Sequence, residues 1–292
     1  MNKMLISTLL KFAYFDGSTV RVLHEGDLSK GTAHYYGVTW DDVGHLFLSG
    51  NIDTRYIIRR FLIHTFILPE RVELPIMPAD RFLLHETHQM FWTNGALYIA
   101  NTGLNRLEIL DNLGWRYHAW NPSTCDQEHI NSIWSDDQYM YVAEHRQALS
   151  LPSVIRKCEL GSLNLIDTID VGLGIHNVYI EDGFLYTLTS APCPAILKMD
   201  MASREISRID KPEWGNTLVR GLARTEDYWY IGNSRWEPDR DKRNLGDAII
   251  VQLDNDFNEV DRLVLPDFGP TCEIRVIGAR DFAHNGIFME AL

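Results

Sequence analysis

Cysteine, positive charge and long apolar runs are all scarce in this 292-residue chain. The four cysteines, Cys125, Cys158, Cys193 and Cys272, show no CxxC spacing, which argues against a zinc ribbon and a thioredoxin-type redox pair. A chain this long buries a core that needs no covalent staples, so free thiols and a reduced, cytoplasmic setting are expected. Lys and Arg total 27 against 40 Asp and Glu, a formal charge of −13, and a surface of that sign repels a phosphate backbone. Nucleic acid is therefore not an expected partner. No segment approaches the ~18 apolar residues of a membrane span. The run LISTLL (5–10) is short, hydroxylated and lacks a small-residue cleavage site, so neither a membrane partner nor a signal peptide is expected. Sustained apolar stripes at 3.6-residue spacing are also missing, which argues against long helices.

What the chain does contain is a repeat. Its clearest copies read HQMFWTNGALYIAN from His88, HINSIWSDDQYMYVAEH from His129, HNVYIEDGFLYTLTS from His176 and RGLARTEDYWYIGNS from Arg220. Each is a short apolar run, an Asn-Gly, Asp-Gly or Asp-Asp turn, and a second run with an aromatic pair, which reads as strand, turn, strand. In the copy from His88, QMFWT leads through Asn94-Gly95 into ALYIAN. RLEILD follows the polar loop 102–105, and a fourth strand falls near Tyr117 to Trp120. Four antiparallel strands in about 45 residues is the length of a propeller blade. The units start near Tyr36 or Gly37, His88, Asn131, His176, Arg220 and Glu273. The expected fold is all-β: a six-bladed β-propeller of four-stranded antiparallel blades in one domain over residues 1–292. An open blade would leave an unpaired edge. TCEIRVIGA near the C-terminus, with MLIST, KFAYFDG and TVRVLHEG near the N-terminus, predicts a ring closed by strands from both termini.

Antiparallel pairing puts the start of the first strand and the end of the second at the same end of a blade. One face therefore collects Tyr36, His88, His129 with Asn131, His176, Arg220 and Glu273 from strand starts. The same face collects Asn51, Asn101, Glu144 with His145, Ser190 and Asn233 from strand ends. Three imidazoles, His88, His129 and His176, suit a divalent transition metal (Zn, Fe or Mn) with one open position. Arg220 suits an anionic group, Glu273, Glu144 or His145 a proton transfer, and Tyr36, Asn101, Asn131 and Asn233 contacts to substrate. The same histidines equally suit a structural role, bonding a neighbouring blade's backbone and locking the ring. In strict register the third unit offers Asn131 rather than His129. His85 in HETH lacks the HExxH pattern and is expected in a loop, while His34, His45, His64, His118 and His284 are expected at the surface or in packing. Cys193 and Cys272 fall on the same face. The charged segment RWEPDRDKRNLG (235–246) projects from it, as a lid or as a solvated insertion.

The strings HQMFWTNGALYIANTGLNRLEILD and EHINSIW resemble those of a family of poorly characterised bacterial proteins predicted to be six-bladed propellers. More distantly, the architecture is similar to the gluconolactonase, paraoxonase and strictosidine-synthase superfamily. That resemblance implies a channel-bound divalent ion, often calcium, held by Glu, Asn and Asp, and hydrolysis of lactones or esters. Here the axial set is rich in His and poor in carboxylate, a poor match to calcium's preference for oxygen. The streptogramin lyases are similar in using histidine on the channel face. The combined expectation is a metal-dependent hydrolase or lyase acting on a small polar, anionic substrate. The alternative is a non-catalytic ligand- or protein-binding scaffold propeller with a structural histidine ring. The sequence leaves the oligomeric state open.

Overall fold

The turns form where the sequence supplies residues that tolerate a left-handed backbone. Asn94 and Gly95, at φ of 50° and 70°, join Thr87–Thr93 to Ala96–Asn101. Asp182 and Gly183, at 51° and 80°, join Ile175–Glu181 to Phe184–Thr189 in the same way. Two-residue connections of this hand match the right-handed twist of the strands they join. The structure, a computed structural model, describes residues 1–27, 29, 34–52, 55–62, 72–73, 84–121, 126–136, 138–190 and 193–284. Among these, six four-stranded antiparallel sheets make up a β-propeller.

The first strands of the sheets, Val38–Trp40, Thr87–Thr93, Ile130–Ser135, Ile175–Glu181, Thr217–Arg224 and Thr271–Val276, surround the axis. Each packs against the next, and the last against the first. The closing sheet is shared between the two ends of the chain. Thr271–Val276 pairs with Met4–Thr8, placing Val276 opposite Met4 and Glu273 opposite Ser7; Lys11–Phe15 and Val20–Glu25 complete it. The tyrosines of the recurring aromatic pairs, Tyr98, Tyr141, Tyr186 and Tyr230, are all buried in the packing. Among the described residues no helix is long and apolar enough to cross a membrane.

One irregularity recurs where the strands approach the axis. The register slips between Thr87 and Met90, Ile130 and Ser132, His176 and Val178, and Arg220 and Leu222. A bulge of this kind re-aims side chains that a regular strand would send to opposite faces. Two consecutive residues in, or for Val38–Trp40 just ahead of, each first strand serve the axis, making two tiers. The lower tier is Gly37, Gln89, Ser132, Asn177, Gly221 and Glu273. Its side chains take backbone N–H groups from the neighbouring sheet: Ile133 donates to Gln89 Oε1 at 2.6 Å, Asn177 to Ser132 Oγ at 2.7 Å, and Gly221 to Asn177 Oδ1 at 2.9 Å. A Cβ on Gly37 would lie 2.5 Å from the His88 carbonyl oxygen, so the first two sheets meet backbone to backbone.

Arg275, fully buried, completes the lower lock. Its Nε donates to the Val38 carbonyl at 3.1 Å, and its Nη1 to Glu273 Oε1 at 3.0 Å and to the Leu222 carbonyl at 3.4 Å. One guanidinium thus ties the shared sheet to both of its neighbours.

Candidate functional site

The upper tier, one residue before the lower in each strand, is Tyr36, His88, Asn131, His176, Arg220 and Cys272. Five of these, all but Asn131, line a cavity of about 1280 Å³ at the mouth of the axis. A narrow cavity of about 20 Å³ continues below it between the two tiers, and Asn131 lines that one. His129 lies two residues ahead of the in-register position, at φ 54°, where its backbone N–H is held by Asn105 Oδ1 at 3.1 Å. Its ring nevertheless reaches the cavity. Five rings then form a continuous arc. Tyr36 stacks on His88 at 4.5 Å, His88 meets His129 at 5.0 Å, His129 meets His145 at 5.4 Å, and His145 meets His176 at 5.1 Å between centroids.

The two buried imidazoles of the upper tier are held in opposite tautomers. His88 Nδ1 lies 3.0 Å from the Glu86 carbonyl oxygen, which can only accept, so that nitrogen carries the proton. Thr102 agrees with this. Its hydroxyl gives its proton to the Ile130 carbonyl at 2.5 Å and accepts from His88 Nδ1 at 2.7 Å. His88 Nε2 is left with a lone pair. For His176 the assignment runs the other way. Asn131 Nδ2 is fixed as a nitrogen by its bond to the Ile175 carbonyl at 2.9 Å, while Asn131 Oδ1 accepts from Ser132 Oγ at 2.8 Å. The same Nδ2 lies 3.2 Å from His176 Nδ1, which must therefore accept, placing the proton on His176 Nε2.

Burial, first of all, holds both imidazoles well below the usual histidine pKa. Around His88 the charges of His129 and Arg220 add to this, and around His176 those of Arg220 and His145. His145 is lowered to about 4, by burial and then by His129 and Arg220. Asp126 faces His129, with both carboxylate oxygens 2.9 Å from its Nδ1. Burial pushes the Cys272 thiol up to about 12, which keeps it protonated at neutral pH and makes it a poor nucleophile.

Arg220 stands out electrostatically. Its Nε is buried without a hydrogen-bond partner, and its guanidinium makes no ion pair or hydrogen bond with any described residue. A cation on a cavity wall with no protein anion beside it is a place for a ligand's negative charge.

Several expected site residues lie elsewhere. Glu273 belongs to the lower tier and binds Arg275, while Cys272 takes the upper-tier place expected of Glu273. Glu144 is buried and doubly bonded to Arg156, Nε to Oε1 and Nη2 to Oε2 at 3.1 Å, so it does not reach the axis. Asn101 is spent on structure: its Nδ2 donates to Glu108 Oε1 at 2.8 Å, and its Oδ1 accepts from His85 N–H at 2.9 Å. Asn233 lines a separate cleft beside Trp214 and Trp236. Asn131 acts on His176 rather than at the main cavity. Tyr36, His88, His129, His145, His176 and Arg220 are brought together as expected. The 235–246 segment, with a short helix Arg240–Asn244, supplies Trp236, Arg243 and Asn244 to the cavity wall. Cys158, Cys193 and Cys272 are free thiols, with Cys193 on the cavity rim. Cys125, His64 and the side chain of Asn51 lie outside the described residues.

A transition metal on His88, His129 and His176 does not fit these contacts. Coordination through His176 Nε2 requires the proton on Nδ1, where the Asn131 amide already donates. Among the described residues no three His, Cys, Asp or Glu side chains converge on a common point suited to an ion. The calcium of the lactonase-like superfamily fits no better, since the upper tier has no carboxylate and includes a guanidinium.

No family model matches the chain, and neither does any curated protein. Among solved structures, a chain from "Crystal structure of Nidogen/Laminin Complex" superposes with a TM-score of 0.65 at 11% identity, over 94% of this chain and 97% of that one. A functionally unknown protein from Desulfotomaculum acetoxidans DSM 771 superposes with a TM-score of 0.53 at 11% identity, over 94% of this chain and 84% of that one. Likeness at this identity establishes the propeller fold alone.

Proposed function

We propose that this chain is a six-bladed propeller enzyme, a hydrolase or lyase of the reduced cytoplasm, working by acid–base chemistry on an anionic small molecule at the mouth of its axis. The observation that carries this reading is the pair of opposite tautomers. His88 offers a lone pair at Nε2 and His176 offers a proton at Nε2, and both rings line the main cavity at the mouth of the axis. An acceptor and a hydrogen-bond donor facing one bound molecule suit proton abstraction by His88 with the developing negative charge held by the His176 N–H, and the proton that His88 takes up is the one available to a leaving group. Arg220 holds the substrate's negative charge. Asp126 orients His129, which together with His145 connects the two working imidazoles along the wall. Both working rings are neutral at physiological pH, so the resting enzyme holds the base and the donor in the required forms without a metal.

The test uses protein prepared without a His tag and treated with a chelator. Hydrolysis of 4-nitrophenyl acetate and of a δ-lactone, and β-elimination from a 3-acyloxy acid, are followed for the native chain and for His88→Asn and His176→Asn. Turnover of at least one probe is expected to survive chelation and to fall by 10²-fold or more in either variant, in line with general acid–base contributions. Activity that disappears with the metal would restore the metal-dependent reading. Absence of turnover on the whole panel would favour a binding propeller, a role in keeping with the matched chain having come from a two-protein complex.

A further inference from the structure

We infer that the ligand of the axial cavity is an amphiphilic monoanion: one carboxylate-sized charge joined to a large apolar body, rather than a sugar acid or a phosphate ester. This rests on the reading of Arg220 as the anion anchor and narrows it. The first observation is the charge on the wall. Three arginines line the cavity, and two are occupied. Arg208 binds Asp210 and donates to the Cys193 carbonyl at 2.7 Å, while Arg243 lies over the Trp236 ring at 4.5 Å and donates to the Glu237 carbonyl at 3.4 Å. Arg220 alone of the three has no described partner. Two acidic residues, Glu86 and Asp126, line the same cavity. A doubly charged phosphate would bring two negative charges to one unpaired guanidinium and two carboxylates. A monoanion is matched by Arg220 alone.

The second observation is the apolar part of the cavity wall. Val171, Leu173, Leu197, Ile206 and Leu218 line it, and Leu9 lies on the cavity lining as well. Leu173 and Ile206 are 70% and 41% exposed, apolar surface that a monomeric chain leaves uncovered at a cost. His88, His145 and His176 on the cavity lining are held neutral by burial, so they add polar atoms without adding charge. At about 1280 Å³ the cavity exceeds what a six-carbon sugar acid fills, and is larger than the roughly 300–1,000 Å³ of ordinary small-molecule sites.

Isothermal titration at pH 7.5 with octanoate, octanamide, gluconate and inorganic phosphate tests this. Octanoate is expected to bind at least tenfold more tightly than the other three. Arg220→Gln should bring octanoate down to the octanamide level, and Arg220→Lys should restore part of the difference. The comparison of the four probes on the native chain stands even if a variant fails to fold. Gluconate or phosphate binding as tightly as octanoate, with loss in Arg220→Gln, would overturn the inference and leave Arg220 as anion anchor. Equal affinity for octanoate and octanamide, or no Arg220-dependent binding by any anion, would overturn both.

Discussion

At the scale of single residues, the histidines of the cavity depend on what stands behind them. His88 and His176 share one tier and comparable burial, yet a carbonyl behind one and an amide behind the other give their inner nitrogens opposite roles. His145 adds a measurable pH signature. Its pKa falls from 6.5 when unfolded to about 4 in the fold, so between those values the unfolded chain binds a proton that the folded chain does not. Stability from this residue is complete above pH 6.5, declines as the pH drops, and is exhausted near pH 4, a total of about 3 kcal/mol. Denaturant unfolding of the native chain and of His145→Asn at pH 7 and pH 4 reads this contribution together with its coupling to His129, His88 and His176, because groups that do not interact with His145 cancel in the difference. The native chain should lose up to about 3 kcal/mol relative to the variant on going to pH 4. An unchanged difference would contradict the assignment.

At the scale of elements, the bulged first strand is the working unit, and it divides labour between adjacent residues. The upper residue faces the ligand cavity; the lower one bonds the next sheet. Asn177 tests the second role. Its backbone is left-handed at φ 59°, and its Oδ1 takes the buried Gly221 N–H. Asn177→Gly relieves the backbone and removes only the acceptor, which should cost about 1–3 kcal/mol for the N–H left unpaired. Asn177→Ala should cost about 1 kcal/mol more, from a Cβ in the left-handed region. Chemical denaturation of the two variants checks both the loss and its order. This division explains what was legible in the sequence. The period, the turns and the inward set Tyr36, His88, His176 and Arg220 could be read from spacing, because each strand repeats the same alternation. The bulge could not, since it recurs at the same place in successive strands and so leaves the period unchanged. Between Arg220 and Cys272 the long 235–246 segment breaks the even spacing, so the period does not separate Cys272 from Glu273. Thr102 and Asp126 carried no signal of repeat phase, although Asp126 stands only three residues before His129. Glu144 and Asn101 were placed at the right end of their strands, but their hydrogen bonds turn them toward Arg156 and Glu108.

At the scale of the whole molecule, ring closure depends on a sheet made from both ends of the chain and on the buried Arg275–Glu273 pair at its axial strand. The expected closure by strands from both ends of the chain is found: TCEIRV takes one edge of MLIST, and KFAYF takes the other. Removing one member of a buried, multiply bonded pair leaves the other uncompensated, so Arg275→Leu should destabilise the fold by about 3–5 kcal/mol. Because burial already raises the Glu273 pKa, the additional change Glu273→Gln should recover part of that loss. Thermal unfolding of the single and double variants is the check; equal melting temperatures for Arg275→Leu and the native chain would mean that the guanidinium does not lock the ring.

The account turns on two neutral histidines of opposite tautomer facing one anion site, and long-range ¹⁵N–¹H correlation of histidine-labelled protein at pH 7 observes this directly. His88 is predicted to give a protonated Nδ1 with an unprotonated Nε2, and His176 the reverse. Identical tautomers for the two rings, or a doubly protonated ring at either position, would contradict it.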